Sequence, residues 1–567
     1  MAKKVVVIGA VALGSKAACR FKRIDPESEV IILDQDEYIS YGGCGIPYYV
    51  SGDVSDYKEL QSTSFHMVRD VDFFRKVKGI TAFTSTRVTK IDRASKEVHA
   101  INRDGVLTIF PYDKLVIGTG TIPRKLDIPG KDLGNIYTVA NLHDAIAIKE
   151  RVVKGEASSV VIVGGGFIGL EMAEAFTDMW GLDTAVIELR DQIMPGFVSK
   201  GMSAMAKNLM SEKGVVFYLG ETVTAFEGEG NVERVITDKR AIDADLVILA
   251  AGIKPNVALA AEAGLDVGET GGIVVNRFLQ TSDPDIYAGG DCIELKNLVS
   301  GKAGFYPLGS MANRQGRVIG TNLAGGKAEF PGAVGSFVVK IFDNALAGAG
   351  LTIETARACG FDAISVQMCQ LDRAHFYPDK ELMFLELVVE KNTKRVLGIQ
   401  GISGKGDALV GRINAVAALL DRKPVIQDIS NLELAYSPPF SSAMDIVNAL
   451  ANVADNVLDG YLEAVDAESF EKYWEQVQSG DVCLIDCRAF PDAKPFVEKY
   501  PGTWNSIPQD ELKDRISEIP SDKKVVLVCN TGVRSFEAQL NLRELGFDDT
   551  LSVQGGMAML RKYGLGK

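Results

Sequence analysis

Short, wholly apolar runs alternate along this chain with stretches of helical period, and the runs repeatedly end on glycine or on an acid. The first, Val5-Val6-Val7-Ile8, leads into Gly9-Ala10-Val11-Ala12-Leu13-Gly14, a helical stretch through Ala17, Ala18 and Arg20, and then Val30-Ile31-Ile32-Leu33 closed by Asp34. The layout returns at Val160-Val161-Ile162-Val163, followed by Gly164-Gly165-Gly166-Phe167-Ile168-Gly169, a helix through Glu171 and Ala175, and Ala185-Val186-Ile187 closed by Glu188. Apolar runs of four residues bounded by turn signals predict buried strands. Two copies of one strand-turn-helix-strand unit predict two Rossmann-like domains in an α/β chain.

In such a unit, glycines at the turn let a pyrophosphate reach the helix N-terminus, and the acid takes the ribose hydroxyls. Gly9, Gly14 and Asp34 fill these roles in the first copy, with Val11 where a middle glycine normally stands. Gly164, Gly166, Gly169 and Glu188 fill them in the second. A carboxylate at Glu188 repels a 2′-phosphate and favours NADH, while Arg190 nearby keeps NADPH open. Two further strand ends carry glycine, Leu115-Val116-Ile117-Gly118-Thr119-Gly120 and Leu246 to Leu249 with Ala250-Ala251-Gly252. The run Thr281 to Asp291 delivers an aspartate to a helix start.

Later runs predict strands around Ser336 to Ile341 and Leu385 to Glu390, then helices. Asn448 to Glu463 reads as a helical connector. Beyond it, Val482 to Arg488 and Val525 to Val528 are strands, the second leading to Cys529-Asn530-Thr531-Gly532-Val533-Arg534-Ser535 and a helix through Leu540 and Leu542.

At 567 residues the chain is too long for one core. Its net charge of -14 argues against a nucleic-acid partner. No apolar run approaches the ~20 residues that span a bilayer, and the start leaves no room for a cleavable signal, so a cytoplasmic location without membrane contact is expected. Eight cysteines show no C-x-x-C spacing and the four histidines are dispersed, which suggests neither a metal site nor a disulfide framework.

The reactive centre is expected at Ser40-Tyr41-Gly42-Gly43-Cys44-Gly45-Ile46-Pro47, where one cysteine stands among three glycines. Thiolate chemistry needs an accessible sulfur, and glycines let a flat cofactor or substrate approach the backbone.

The order of these motifs resembles the two-dinucleotide-binding flavoprotein disulfide reductases over residues 3 to 445. The resemblance implies FAD on the first unit, with Gly9, Val11, Gly14, Asp34, Thr119, Gly120 and Asp291 contributing, and NADH on the second, with Gly164, Gly166, Gly169, Glu188 and Gly252. Family members with a redox pair carry C-x-x-x-x-C, but here Tyr49 stands five residues after Cys44. A lone redox cysteine must cycle through a mixed disulfide, a persulfide or a sulfenic acid. Within the single-cysteine branch, the first helix lacks the histidine of the peroxidases and many oxidases. Its Arg20, Lys22 and Arg23, with Ser40, resemble the coenzyme A site of coenzyme A-disulfide reductases. His375-Phe376-Tyr377-Pro378 and Ala435-Tyr436-Ser437-Pro438-Pro439 resemble segments of those enzymes whose tyrosines reach the redox cysteine, at least one across a homodimer.

Residues 465 to 567 resemble a rhodanese, with its Cys-x-x-Gly-x-Arg loop at Cys529 and a later Val553-Gln554-Gly555-Gly556. Cys529 is expected at the mouth of that loop, facing backbone N–H groups, with Arg534 stabilising the charge of its sulfur, and Cys487 reads as a structural strand residue. The implied domains are 1–112 with 280–330 for FAD, 113–279 for NAD(H), 331–445 for an α+β dimerisation domain, 446–464 as linker and 465–567 as the rhodanese. The combination resembles coenzyme A-disulfide reductase and rhodanese fusions, including NADH-dependent persulfide reductases. It implies NADH-driven cleavage of S–S bonds in persulfides, polysulfides or coenzyme A disulfide. An NADH oxidase cycling through a sulfenic acid, or a sulfur-carrier or redox-sensing module without rapid turnover, stays open.

Overall fold

The computed structural model describes residues 2–565. The chain divides into two units, one holding the chain up to Asp191 with Gly214–Ala333, the other holding Gln192–Lys213 and the chain from Val334 onward.

The first unit contains two parallel five-stranded sheets. In one, the order is Ile286–Ala288, Lys114–Ile117, Lys4–Ile8, Glu29–Leu33, Thr81–Phe83. In the other it is Val216–Leu219, Asp183–Glu188, Ser159–Val163, Leu246–Leu249, Ile136–Tyr137. Their central strands are buried at nearly every position because helices cover both faces, so unbroken apolar runs become strands here without alternation. Helix Leu13–Ile24 packs along helix Gly309–Leu323 at close range. A Cβ on Gly316 would stand 2.8 Å from the Leu13 carbonyl oxygen, and one on Gly320 would stand 2.6 Å from that of Ala17. Those glycines fix how closely the second helix lies, and its first residue, Gly309, sits beside Cys44.

In the second unit an antiparallel sheet runs Phe337–Ile341, Asn344–Gly350, Val396–Ser403, Leu382–Glu390, Ala363–Leu371, with helices Gly406–Leu420 and Ile446–Leu458. A parallel sheet follows, in the order Ala464–Val465, Thr550–Val553, Lys524–Val528, Val482–Asp486, Trp504–Ser506. The segment 192–213, which the sequence places within 113–279, packs with this unit. Its helix Lys200–Glu212 is capped by Ser199, whose hydroxyl donates 2.8 Å to the buried Glu386 carboxylate, and Asn208 donates to the Tyr563 carbonyl. Among the described residues, no helix is long and apolar enough to cross a membrane.

Candidate active site

The two glycine turns share one geometry. Gly9 takes φ 95° and a Cβ there would meet the Gly118 carbonyl oxygen at 2.2 Å; Gly164 takes φ 116° and would meet that of Ala250 at 2.2 Å. Gly14 and Gly169 each press on the carbonyl of the turn's first glycine, at 1.8 and 1.9 Å from an added Cβ. Both pairs are held by backbone approach that no side chain tolerates. Gly166 differs, because nothing lies within 4 Å of its added Cβ, so it leaves an open face for a phosphate. Val11 stands at the corresponding position in the first copy and is half-buried. The neighbouring Leu13 is buried, its methyls filling space that Gly118 and Gly289 leave free.

Each acid also organises its own turn. Asp34 accepts from the Ala10 N–H at 2.6 Å and that of Asp36 at 2.9 Å, and burial raises its pKa against those bonds. Glu188 accepts from the N–H groups of Gly165 and Arg190, both at 2.8 Å. Arg190 is thus tied to the acid through its backbone, and its residue is exposed. Thr119 donates its hydroxyl to the Asn256 carbonyl at 2.6 Å, while Gly120 and Gly252 turn with positive φ. Asp291 sits in a single helical turn, where burial pushes its carboxyl up to about 6.

Cys44 is exposed in a one-turn helix, Gly43–Gly45, that runs into helix Ile46–Ser51 with Pro47 in its first turn. Flanking glycines leave the sulfur open on one side, while the surrounding protein still raises its pKa by desolvation. The charge of Glu171 and, more weakly, that of Asp291 add to the rise, and the Gly309 N–H opposes it. Gly309 begins a 15-residue helix, so the amide beside the sulfur belongs to a helix N-terminus, which favours negative charge. Burial, with Glu174 adding, pushes the Glu171 carboxyl up to about 7. Sequence reading passed over both Glu171 and Gly309. Glu171 stands two residues after the Gly164 to Gly169 motif, which offered a local signal, whereas Gly309 is 265 positions from Cys44 and offered none.

The basic residues of the first helix are already engaged in part. Lys22 donates to the Pro26 and Ser28 carbonyls at 2.7 and 2.6 Å, closing the helix end, and Arg20 donates to the Thr321 hydroxyl at 3.1 Å. Arg23 is exposed. Ser40 is buried with φ 55°, its N–H donating to the Ala10 carbonyl at 2.9 Å, so it holds the turn preceding Cys44 against the first glycine loop.

Tyr377 and Tyr436 lie in the other unit, on loops joined by the Ala374 N–H donating to the Pro438 carbonyl at 3.3 Å. Arg412 clamps both loops. It donates to the Asp372 carbonyl at 3.0 Å and that of Phe440 at 3.2 Å, and pairs with the buried Asp445 at 2.8 Å. Tyr436 is 52% exposed, and Phe376, Phe440 and Met444 are exposed as well. The Arg373 guanidinium stands over the half-buried Tyr377 ring, 6.0 Å from its centre.

Cys529 does not lie at an open mouth, as the loop motif suggested: it is 1% exposed. One backbone N–H, from Gly532, reaches its sulfur at 3.1 Å, and the Ser535 hydroxyl lies 3.4 Å away. Ser535 in turn accepts from Ser552 at 2.9 Å. Helix Val533–Glu544 starts in this loop, so its N-terminal dipole is directed at the sulfur. Arg534 is half-buried and lines a pocket of ≈ 580 Å³ with Cys487, Phe490 and Pro508. Its charge is felt at Cys487, whose thiol burial raises strongly. Cys487 directly follows the strand Val482–Asp486 and is buried.

Comparisons with known proteins match three stretches of the chain. A pyridine nucleotide-disulphide oxidoreductase model matches residues 3–316, that family's dimerisation domain matches 336–447, and a rhodanese-like domain matches 469–561. An NAD(P)H sulfur oxidoreductase (CoA-dependent) of Pyrococcus abyssi is 37% identical over 451 residues, covering 80% of this chain and 98% of its own. The structure of an NAD-dependent persulfide reductase from A. fulgidus superposes with a TM-score of 0.93 at 38% identity, covering 98% of this chain and 99% of its own. Reduced CoADR-RHD of Bacillus anthracis gives 0.90 at 30% identity, covering 99% and 98%.

Proposed function

Because this chain belongs to the pyridine nucleotide-disulphide oxidoreductase family, we propose that it is an NADH-dependent flavoprotein that reduces persulfides, polysulfides or coenzyme A disulfide at Cys44. The observation that carries the reading is the likeness to the persulfide reductase along nearly the whole chain, rhodanese region included. The two glycine turns fit FAD and NADH, since each offers a helix N-terminus, a close-packed glycine pair and a buried acid. Bound FAD supplies the two electrons taken from NADH to the sulfur at Cys44.

The residues of the chain do the rest. Cys44 takes the sulfur of the substrate as a mixed disulfide or persulfide, its exposure admitting the incoming S–S bond and the Gly309 amide favouring the thiolate released on reduction. No other cysteine stands within five residues, so the partner sulfur comes from the substrate. The resemblance assigns Tyr377 and Tyr436 to hydrogen-bond donation toward the departing thiolate, at least one of them across a homodimer formed through the dimerisation domain. Coenzyme A enters over Arg20, Arg23 and Ser40, with Lys22 contributing less because its ammonium is held locally. Cys529 receives sulfane sulfur, with the Gly532 amide and Ser535 stabilising it. Following NADH consumption without oxygen tests the reading. Oxidation that depends on added persulfide supports it, and oxidation that requires oxygen identifies an NADH oxidase instead.

A further inference from the structure

The turn that carries Cys44 rests on a short helix. The Gly42 N–H donates to the Leu60 carbonyl at 2.9 Å, and a Cβ on Gly45 would stand 2.4 Å from the Leu60 side chain. Glycines on both sides of the cysteine therefore lean on one residue. Leu60 lies in helix Tyr57–Gln61, five residues long. A helix this short is not stable by itself, and its last four carbonyls need partners from outside it. Ser62 serves the first two, its hydroxyl donating to the Lys58 carbonyl at 2.7 Å and its N–H to that of Glu59 at 3.1 Å. Arg69 serves the other two. A bridge between Ser62 and Val68 turns the chain back on itself and brings Arg69 to the helix end. There its Nε donates to the Gln61 carbonyl at 2.9 Å, its Nη2 to that of Leu60 at 3.3 Å, and its backbone N–H to that of Gln61 at 3.0 Å. Gln61 is buried and extends the restraint, its side-chain amide donating to the Ile39 carbonyl at 3.0 Å, one residue before Ser40.

We propose that Arg69 is a positioning residue for Cys44, acting through Leu60. A guanidinium is a rigid fork that spans two successive carbonyls, whereas a lysine ammonium is a point charge that cannot reproduce the pair. Among the described residues no carboxylate pairs with Arg69, although it is half-buried and burial weighs against its charge. The fork is directed at backbone instead. By fixing the Leu60 carbonyl, it sets where the Gly42–Gly45 turn sits, and with it the line along which the Cys44 sulfur meets an incoming S–S bond. Displacement at sulfur requires the attacking, central and leaving sulfurs close to one line, so a small shift of the turn lowers the rate of the covalent step while leaving substrate binding largely intact.

This rests on the reading that Cys44 reduces S–S bonds, and the experiment separates the two. Full-length holoenzyme bearing Arg69→Lys or Arg69→Met is compared with the unmodified protein by anaerobic NADH oxidation with inorganic polysulfide, resolving kcat from KM, and by amide hydrogen exchange at Gly42. The expected result in both variants is a kcat lowered about tenfold, a KM for polysulfide changed less than about twofold, and exchange at Gly42 faster by about tenfold. NADH should still bleach the flavin at the unmodified rate, as proof of folding. Leu60→Ala should also lower kcat, and adding Arg69→Met to it should cost less than about a further twofold, because the two act along one path. Full kcat in Arg69→Lys would mean that charge alone is used, and a raised KM at unchanged kcat would make Arg69 a substrate contact; either overturns the inference, as do additive losses in the double variant. Exchange needs no substrate. An unmodified protein that does not oxidise NADH with polysulfide overturns the reading of Cys44, whereas unchanged exchange at Gly42 in both variants overturns the role of Arg69 alone.

Discussion

The neighbourhoods of Cys44 and Cys529 are built on opposite principles. Cys44 is exposed, set among glycines, and feels two carboxylates, Glu171 and Asp291, opposed by the backbone amides of Gly309 and of Cys44 itself. Cys529 is 1% exposed and meets an amide and a hydroxyl at its sulfur. The first arrangement admits a bulky reactant and resists idle ionisation. The second keeps its sulfur away from solvent. Access and shelter are hard to combine at one atom, and the chain separates them.

The largest expected effect is at the open site. Cys44→Ser should lower anaerobic persulfide-dependent NADH oxidation on the order of 10³-fold while NADH still bleaches the flavin, because it removes the covalent step alone. Retained turnover would mean that sulfur is reduced elsewhere. Cys529→Ser should cut use of a sulfane donor about 10²-fold yet change reduction of a small disulfide less than about twofold. Equal losses in steady-state assays with the two substrates would erase the division.

Electrostatics offers a finer test. Glu171 ionises near pH 7, and above that its charge opposes ionisation of Cys44. Glu171→Gln carries no charge at any pH, so alkylation of Cys44 by iodoacetamide at pH 8 should speed up about threefold to tenfold. The change should vanish toward pH 5, where the acid is already neutral, and alkylation of Cys529 should not respond. A uniform change across pH would place Glu171 out of reach of the sulfur.

The unit that holds Cys529 has its own buried acid with a different task. Glu386 is fully buried, accepts from Ser199 at 2.8 Å and Gln367 at 2.9 Å, and is pushed up to about 7 by burial. A carboxyl raised on folding binds more protons folded than unfolded between its two pKa values. The stability it lends is thus complete below about 4.5 and is lost as pH rises through about 7, on the order of 3 kcal/mol in all. Glu386→Gln should flatten the fall in thermal midpoint between pH 5 and 8 and leave Cys529 reactivity unchanged. A pH response identical to that of the unmodified protein would remove Glu386 from the account.

What could be read from the sequence was what local spacing controls. The strands, the glycine turns and the acids at Asp34 and Glu188 all follow from neighbours within about 25 residues, and buried parallel strands announce themselves as apolar runs. The room for the buried Leu13 comes from Gly118 and Gly289, far away in the chain. The amide beside Cys44, the clamp at Arg412 and the strand over Cys529 likewise depend on contacts between distant segments. Lys22 resembles a coenzyme A contact in the sequence, which does not show that the Pro26 and Ser28 carbonyls also accept from its ammonium. Burial of Cys529 was illegible for a related reason: its loop motif is local, but the strand Ala363–Leu371, whose Cys369 thiol donates to the Gly555 carbonyl beside that loop, lies about 160 residues earlier.

The most direct test maps where sulfur sits. The unmodified holoenzyme is treated anaerobically with inorganic polysulfide and then with NADH, and the sulfur bound at each cysteine is read by mass spectrometry at both stages. The account predicts extra sulfur on Cys44 before NADH and its loss, as sulfide, once NADH is added. A Cys44 that never carries sulfur, or one that keeps it after NADH has been consumed, would contradict it.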